Sequence, residues 1–258
     1  MRYLTFFVCL WVITSAFGQK ELREMPPEVL RGDVDDQIVV NGDTAKNKII
    51  FAYFTENWPA YKDSANHLIY EFVESSTQFG VEYGLESELN SEYFKAQLDT
   101  FAQICHDENE LNDIGRAWEI ELVIYIDNDR SNFVTVSLAE WKYTGGAHGN
   151  FFTGYHHLDV PTGRKLGLKD FFVDINALNK VAEPYFRKEA GLESDDNLAD
   201  AGYWFEDNAF MVPDNFTFNG QEVVFLYNIY EIGPYSAGAT ELSIPLKEIE
   251  DLILIPIY

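Results

Sequence analysis

Trp141-Lys142-Tyr143-Thr144-Gly145-Gly146-Ala147-His148-Gly149-Asn150 is the stretch from which the fold is read. The residues before it, Asn132 to Tyr143, alternate as a strand does, and Phe151 to Val160 after it read as a second strand, so the stretch caps a hairpin. Three glycines surround one histidine, and glycine supplies positive φ and close backbone approach where a sharp exposed turn needs them. Outward toward the N-terminus the period stays at two. Trp118 to Ile126 is a strand, Asp127-Asn128-Asp129-Arg130-Ser131 a turn, and the three strands together predict an antiparallel meander.

Further upstream, Val34 to Val40 and Lys48 to Phe54 are strand-like and are joined by Asn41-Gly42-Asp43, a hairpin signal. After Trp58-Pro59 the period changes to that of a helix. Ala65, Leu68, Ile69, Phe72 and Val73 form one apolar face of a helix beginning near Asp63 or Ser64, and Phe94, Leu98, Phe101 and Cys105 form another over about Ser91 to Cys105. Downstream, Pro161-Thr162-Gly163-Arg164 is a turn. Leu166 to Phe172 leads into a short helical pattern at Ile175, Leu178 and Val181, which Pro184 is expected to end or kink. Gly191 to Gly202 is an acidic loop. Glu222 to Tyr227 and Thr240 to Ile244 are late strands, and Pro245 opens a last helix with Leu246, Ile249 and Leu252 inward. The expected class is α+β, an antiparallel meander with packed helices. Helices give way to strands near residues 112 to 117, which suggests an N-terminal α+β unit over 19–117 and a C-terminal α+β unit over 118–258.

Residues 1–18 carry Arg2, an apolar run from Leu4 to Ile13 and the small-x-small ending Ala16-Phe17-Gly18, the pattern of a secretory signal peptide. The expectation is export, to the periplasm or the extracellular space, of a mature chain with no membrane span. Cys9 lies inside the apolar run rather than after a lipobox-like pattern, which argues against a lipid anchor. Cleavage would leave Cys105 alone, so the mature fold would rest on its core rather than on a disulfide. Cys105 reads as a buried structural thiol.

The chain carries 43 acidic residues against 18 basic ones, a net charge of −25. That field repels nucleic acid and anionic membrane surfaces, attracts cationic proteins and favours solubility. His148 is the leading polar candidate, either as a ligand contact or as a tie within its own hairpin. His156 and His157 are adjacent on a strand and point to opposite faces, so at most one can join His148. With no HExxH and no paired CxxC, neither a metal site nor a cofactor is expected. Asp127, Asp129 and Ser131 begin like a calcium loop, but Asn132 and Leu138 stand where glycine and glutamate belong, so a hairpin turn is the better reading. Ser236 lacks the glycine two residues before it that a nucleophile elbow requires. No catalytic residue is assigned.

Three ordered motifs carry a resemblance. Tyr143-Thr144-Gly145-Gly146-Ala147-His148-Gly149-Asn150, then Asp159-x-x-Thr162-Gly163-Arg164-x-Leu166-x-Leu168-x-Asp170-Phe171-Phe172, then Tyr230-Glu231-Ile232-Gly233-Pro234-Tyr235-x-x-Gly238 resemble the RsiV-type extracellular domain. That family includes the lysozyme-sensing region of an anti-sigma factor and a non-catalytic region of a peptidoglycan deacetylase. The likeness covers about residues 118 to 254, and the stretch from Phe51 to about Asp113 looks like the companion domain that precedes it. The resemblance implies an α+β module of the bacterial cell envelope and, for one branch, binding of lysozyme. This chain has no apolar span after the leader and no polysaccharide deacetylase metal motif, so a complete transmembrane anti-sigma factor and a deacetylase are not expected.

The leading expectation is a non-catalytic recognition module for a cationic protein such as lysozyme or for a peptidoglycan fragment. Its expected contact residues are Tyr143, Thr144, Gly145, Gly146, His148, Asn150, Tyr230 and Tyr235, because loops on a rigid sheet carry function and tyrosine suits binding surfaces. The alternatives are an envelope hydrolase using His148 and a structural or assembly domain whose acidity only maintains solubility.

Overall fold

In the computed structural model, which describes residues 29–55, 61–78, 88–112, 115–127 and 132–257, the chain forms one six-stranded sheet and a second sheet of three strands. The first hairpin pairs β1 (Val29–Val40) with β2 (Asp43–Phe54) around the two-residue turn Asn41-Gly42. Both turn residues have positive φ, 48° and 83°, the geometry whose twist matches that of flanking antiparallel strands. The chain then crosses through α1 (Tyr61–Gln78) and α2 (Ser91–Asn112) before β3 (Glu119–Asp127) enters the same sheet parallel to β2. A parallel pair needs such a crossover, whereas the next pairs need only turns. β3, β4 (Phe133–Tyr143) and β5 (Asn150–Asp159) form the antiparallel meander, and the two-residue β6 (Lys165–Leu166) closes the edge.

The helices lie where their apolar periods direct them. Ala65, Ile69, Phe72 and Val73 of α1 and Phe94, Leu98, Phe101 and Cys105 of α2 are buried with Ile49, Leu122, Ile124 and Val136 of the sheet. α1 begins at Tyr61, a little before the expected start. α2 runs seven residues past Cys105, because polar side chains carry the helix on after its apolar face ends: Gln103 donates to Asp107 at 2.7 Å and Asn112 to Glu108 at 2.7 Å. Asn109 then accepts the Gly115 N–H at 2.8 Å and turns the chain back toward β3. The strand that follows residue 117 joins the sheet begun by β1 and β2, and its inward residues share their core.

A second core lies on the opposite face of β4 and β5. It is built from the short helix α3 (Leu168–Phe171), α4 (Ile175–Glu189) and the sheet β7 (Phe216–Asn219), β8 (Glu222–Tyr227), β9 (Thr240–Pro245). Both faces of β4 are therefore covered, and Phe133 to Ala139 are all buried. β7 was not foreseen. Four residues give too short an alternation, although Asn219-Gly220 marks its hairpin turn. Of the two outcomes expected at Pro184, an end or a kink, the first does not occur, since α4 continues through it. Leu178, Ala182 and Phe186 are buried on both sides of the proline, and Arg187 clamps the last turn by donating to Glu183 at 2.9 and 2.7 Å and to the Glu193 and Asp196 carbonyls. Pro184 itself is exposed, so its missing N–H falls on the solvent side. The segment opened by Pro245 is a 3-10 helix, Leu246–Leu252, with Leu246 and Ile249 buried as the pattern predicts.

Two asparagines dock the small sheet onto β5. Asn228 accepts from the Thr153 N–H at 2.8 Å and donates to the Thr153 carbonyl at 3.1 Å. Asn215 donates to the same carbonyl at 2.7 Å and accepts from the Tyr155 N–H at 2.9 Å. A side-chain amide here does what a neighbouring strand would do for the open edge of β5. Among the described residues no helix is long and apolar enough to cross a membrane. The expected signal peptide at residues 1–18, Trp58-Pro59 and the turn residues 128–131 lie outside the described residues.

Candidate functional site

The docking of the small sheet brings the glycine loop and the Tyr230–Gly238 segment together. At the tip of the β4–β5 hairpin the exposed imidazole of His148 stacks on Tyr235, with ring centroids 3.6 Å apart and planes 24° from parallel. Tyr235 donates its hydroxyl proton to the Gly149 carbonyl at 2.9 Å. His148 Nδ1 lies 2.9 Å from the same carbonyl, and a carbonyl only accepts, so Nδ1 carries a proton and donates it there. Tyr230 Oη sits 3.5 Å from His148 Nε2. Tyr230 and Tyr235 are 5.7 Å apart and tilted by 44°. Three aromatic rings from two segments more than 80 residues apart in sequence thus share one patch.

Local chemistry explains the placement. The bulk of Trp141 lies under the hairpin tip, and a Cβ on Gly149 would stand 2.2 Å from the indole. Glycine is required there so that the backbone can lie against the ring and aim its carbonyl at Tyr235. Gly145 takes φ 85°, while the space around Gly146 is open. On the other side, Asn228 to Glu231 is a tight turn closed by the Glu231 N–H donating to the Asn228 carbonyl at 3.1 Å. The Glu231 carboxylate accepts from the Asn228 N–H at 2.9 Å and from its amide at 3.3 Å. Tyr230 occupies the turn position that favours glycine, with φ 70°. A bulky residue held in the left-handed region costs on the order of 1–3 kcal/mol. The side chain so placed is 49% exposed.

Of the expected contact residues, His148, Tyr230 and Tyr235 meet. Tyr143 ends β4, where it pairs with Glu119, and Asn150 opens β5 opposite Lys142; these two and Thr144 lie beside the patch without joining its ring contacts. Gly145 and Gly146 shape the loop. The sequence reading overlooked Gly149 with Trp141 beneath it, and the Asn228-x-x-Glu231 clasp. The close spacing of Trp141 and Gly149 was a signal for the first, and an Asn with a Glu three residues on was a signal for the second.

The other candidates fall elsewhere. His157 is buried among Phe133, Phe171, Phe216 and Phe218. Its Nε2–H donates to the Phe216 carbonyl at 2.9 Å, and its Nδ1 accepts from the Thr135 hydroxyl at 2.9 Å. It is a hydrogen-bonded core histidine. His156, on the other face of β5, has Nδ1 buried with no hydrogen-bond partner, and burial together with nearby Lys165 lowers its pKa to about 4. Cys105 is buried, and burial raises its thiol pKa. Among the described residues no group of three or more His, Cys, Asp or Glu side chains is placed to hold a metal ion. An open concavity of about 900 Å³, lined by Asn219, Gln221, Leu246, Lys247, Glu250 and Ile257, contains none of the expected contact residues.

The Asp159–Phe172 motif is accounted for by the fold. Asp159 accepts from the Thr162 N–H at 3.1 Å and from its hydroxyl at 2.5 Å, and Gly163 supplies φ 71°. Asp170 pairs with Arg164 at 2.7 Å and accepts from the Gly167 N–H at 2.9 Å. The Arg164 hydrogen bond and then the Gly167 amide hold the Asp170 carboxyl below its ordinary pKa.

Residues 169–247 match a family described as "Protein of unknown function (DUF3298)". A crystal structure of a DUF3298 family member from Bacteroides fragilis is similar over 88% of this chain and 94% of its own, with a TM-score of 0.65 and 22% identity. A DUF3298 family protein from Pseudomonas aeruginosa is similar over 90% of this chain and 96% of its own, with a TM-score of 0.59 and 18% identity. At such identities the likeness is one of fold. No curated protein matches the chain.

Proposed function

We propose that this protein is a non-catalytic recognition module of the bacterial cell envelope, exported by its leader, and that the patch formed by His148, Tyr230 and Tyr235 is where it binds. The observation that carries the reading is Tyr230: an aromatic side chain held half exposed on a left-handed backbone, at a position where glycine would be easier. Its contacts with Tyr235 and His148 leave half of the side chain open to solvent, and tyrosine is a favoured contact residue at interfaces. The RsiV-type resemblance supplies the candidate partner, lysozyme, with a peptidoglycan fragment as the other wall ligand. The acidity of the chain supports the first, since a net charge of −25 speeds encounter with a basic protein.

The surroundings of His148 favour recognition over hydrolysis. Its ring nitrogens face the Gly149 carbonyl and the Tyr230 hydroxyl, and no carboxylate among the described residues is hydrogen-bonded to it. A general base is normally oriented by such a partner. Calorimetric titration with lysozyme and with soluble peptidoglycan fragments tests the proposal. Saturable binding of either ligand supports it, and silence toward both at low salt contradicts it.

A further inference from the structure

Resting on the recognition reading, the geometry points to an arginine side chain of a basic partner protein as the occupant of this patch, its guanidinium lying over the exposed face of Tyr230 beside the Glu231 carboxylate. The argument is an inventory of what the patch offers. The Nδ1 proton of His148 is committed to the Gly149 carbonyl and the Tyr235 hydroxyl proton to the same oxygen, while the Tyr230 hydroxyl lies 3.5 Å from His148 Nε2. Two of the three rings therefore spend a side-chain hydrogen on one carbonyl within the patch. What remains facing outward is electron-rich: the lone pairs of the hydroxyl oxygens and the aromatic faces.

Charge points the same way. From Thr144 to Asn150 and from Asn228 to Gly238 there is no lysine or arginine, and the single formal charge is that of Glu231. Its carboxylate is held by the backbone N–H and the amide of Asn228, so it is oriented without being neutralised. A sugar needs several donors as well as acceptors from its site, and among these tyrosines only the Tyr230 hydroxyl has no close acceptor for its proton. A planar cation asks for π faces and a carboxylate. Arginine suits both better than lysine does, because its guanidinium stacks on a ring while directing N–H groups sideways to an acceptor. The overall charge of −25 brings a basic protein to the surface, and the patch gives one of its arginines a place to dock.

The test uses the whole protein, with lysozyme, a nona-arginine peptide, a nona-lysine peptide and chitotetraose as probes at physiological salt. Variants Tyr230→Leu and Tyr230→Phe are compared after thermal melts show that both fold. The expected result is that Tyr230→Leu weakens nona-arginine binding roughly five-fold or more, Tyr230→Phe weakens it less than about two-fold, and nona-lysine binds less tightly than nona-arginine. Lysozyme should follow the same ranking, and conversion of its arginines with cyclohexanedione should weaken it where charge-retaining methylation of its lysines does not. Nona-arginine binding unchanged in Tyr230→Leu overturns the inference, as does chitotetraose binding that depends on Tyr230. If nona-arginine shows the Tyr230 dependence while neither lysozyme nor chitotetraose binds, the arginine site stands and the proposed cell-envelope partners fall.

Discussion

The turn at Asp159–Asp170 and the turn at Asn228–Gly238 are built from the same kinds of residue and use them in opposite ways. In the first, the polar signature residues are engaged within the turn itself: Asp159 holds Thr162, Asp170 holds Gly167 and Arg164, and a glycine takes the positive φ. In the second, the carboxylate of Glu231 also folds back, but the positive φ falls on Tyr230 and the rings are left facing outward. A sequence signature can thus mark either a fold requirement or a surface, and the side-chain partners separate the two. Where the local hydrogen bonds and packing account for each residue, nothing is left over for a ligand. At Tyr230 something is left over.

The most drastic way to break the comparison is to remove what holds the second turn in place. Asn228 is buried and serves both Thr153 and Glu231, so Asn228→Ala should cost about 2 kcal/mol in urea unfolding and abolish binding as well, since the Thr153 N–H loses its partner and the Thr153 carbonyl and the Glu231 carboxylate each lose one of two. A loss below about 1 kcal/mol would mean that the clasp is ornamental.

Acid should loosen the frame common to both turns. His156 on β5 has a folded-state pKa lowered to about 4 by burial and Lys165, against about 6.5 unfolded. Between those values the unfolded chain takes up a proton that the folded chain refuses. Stability therefore falls as pH drops from about 6.5 to 4, by at most about 3 kcal/mol from this group. Burial raises the carboxyls of Glu74, Glu121 and Glu241, which act in the opposite sense, so the contribution is read as the difference between the natural protein and His156→Leu. Parallel pH profiles for the two would refute it.

A smaller effect sharpens the contrast. Asp170→Ala removes an exposed ion pair and the bond to the Gly167 amide, and should lower stability by about 1 kcal/mol while leaving lysozyme or peptide binding unchanged. A binding defect in a variant of this size would place the first turn in the recognition surface too.

Much of this was legible before the structure. Alternation gave the β3–β5 meander, Asn41-Gly42 gave the first hairpin, and Ala65–Val73 and Phe94–Cys105 gave the inward faces of α1 and α2, because burial on one side leaves a period in the sequence. The parallel pairing of β2 with β3 left no such mark, since it is decided by where the crossover helices pack. Pro184 does not end α4 for a related reason: local propensity lost to the buried Phe186 and the Arg187 clamp. At the site, glycines and tyrosines pointed to His148, Tyr230 and Tyr235, whereas the pairing of Asn228 with Thr153, 75 residues away, left no mark in the sequence. Side-chain amides that pair with distant backbone have no periodicity to betray them.

The most direct test of the account exchanges Tyr230 for the residue that its backbone favours. Tyr230→Gly should leave unfolding stability unchanged or raised by up to about 1 kcal/mol, because a positive φ costs glycine little. Calorimetric titration of that variant with lysozyme, beside the natural protein and an equally basic unrelated protein as control, reads the other half. The account predicts selective binding by the natural protein that survives physiological salt and disappears in a variant that folds at least as well. A variant that loses stability and keeps its binding would contradict it, and would make Tyr230 a residue of the fold like Asp159.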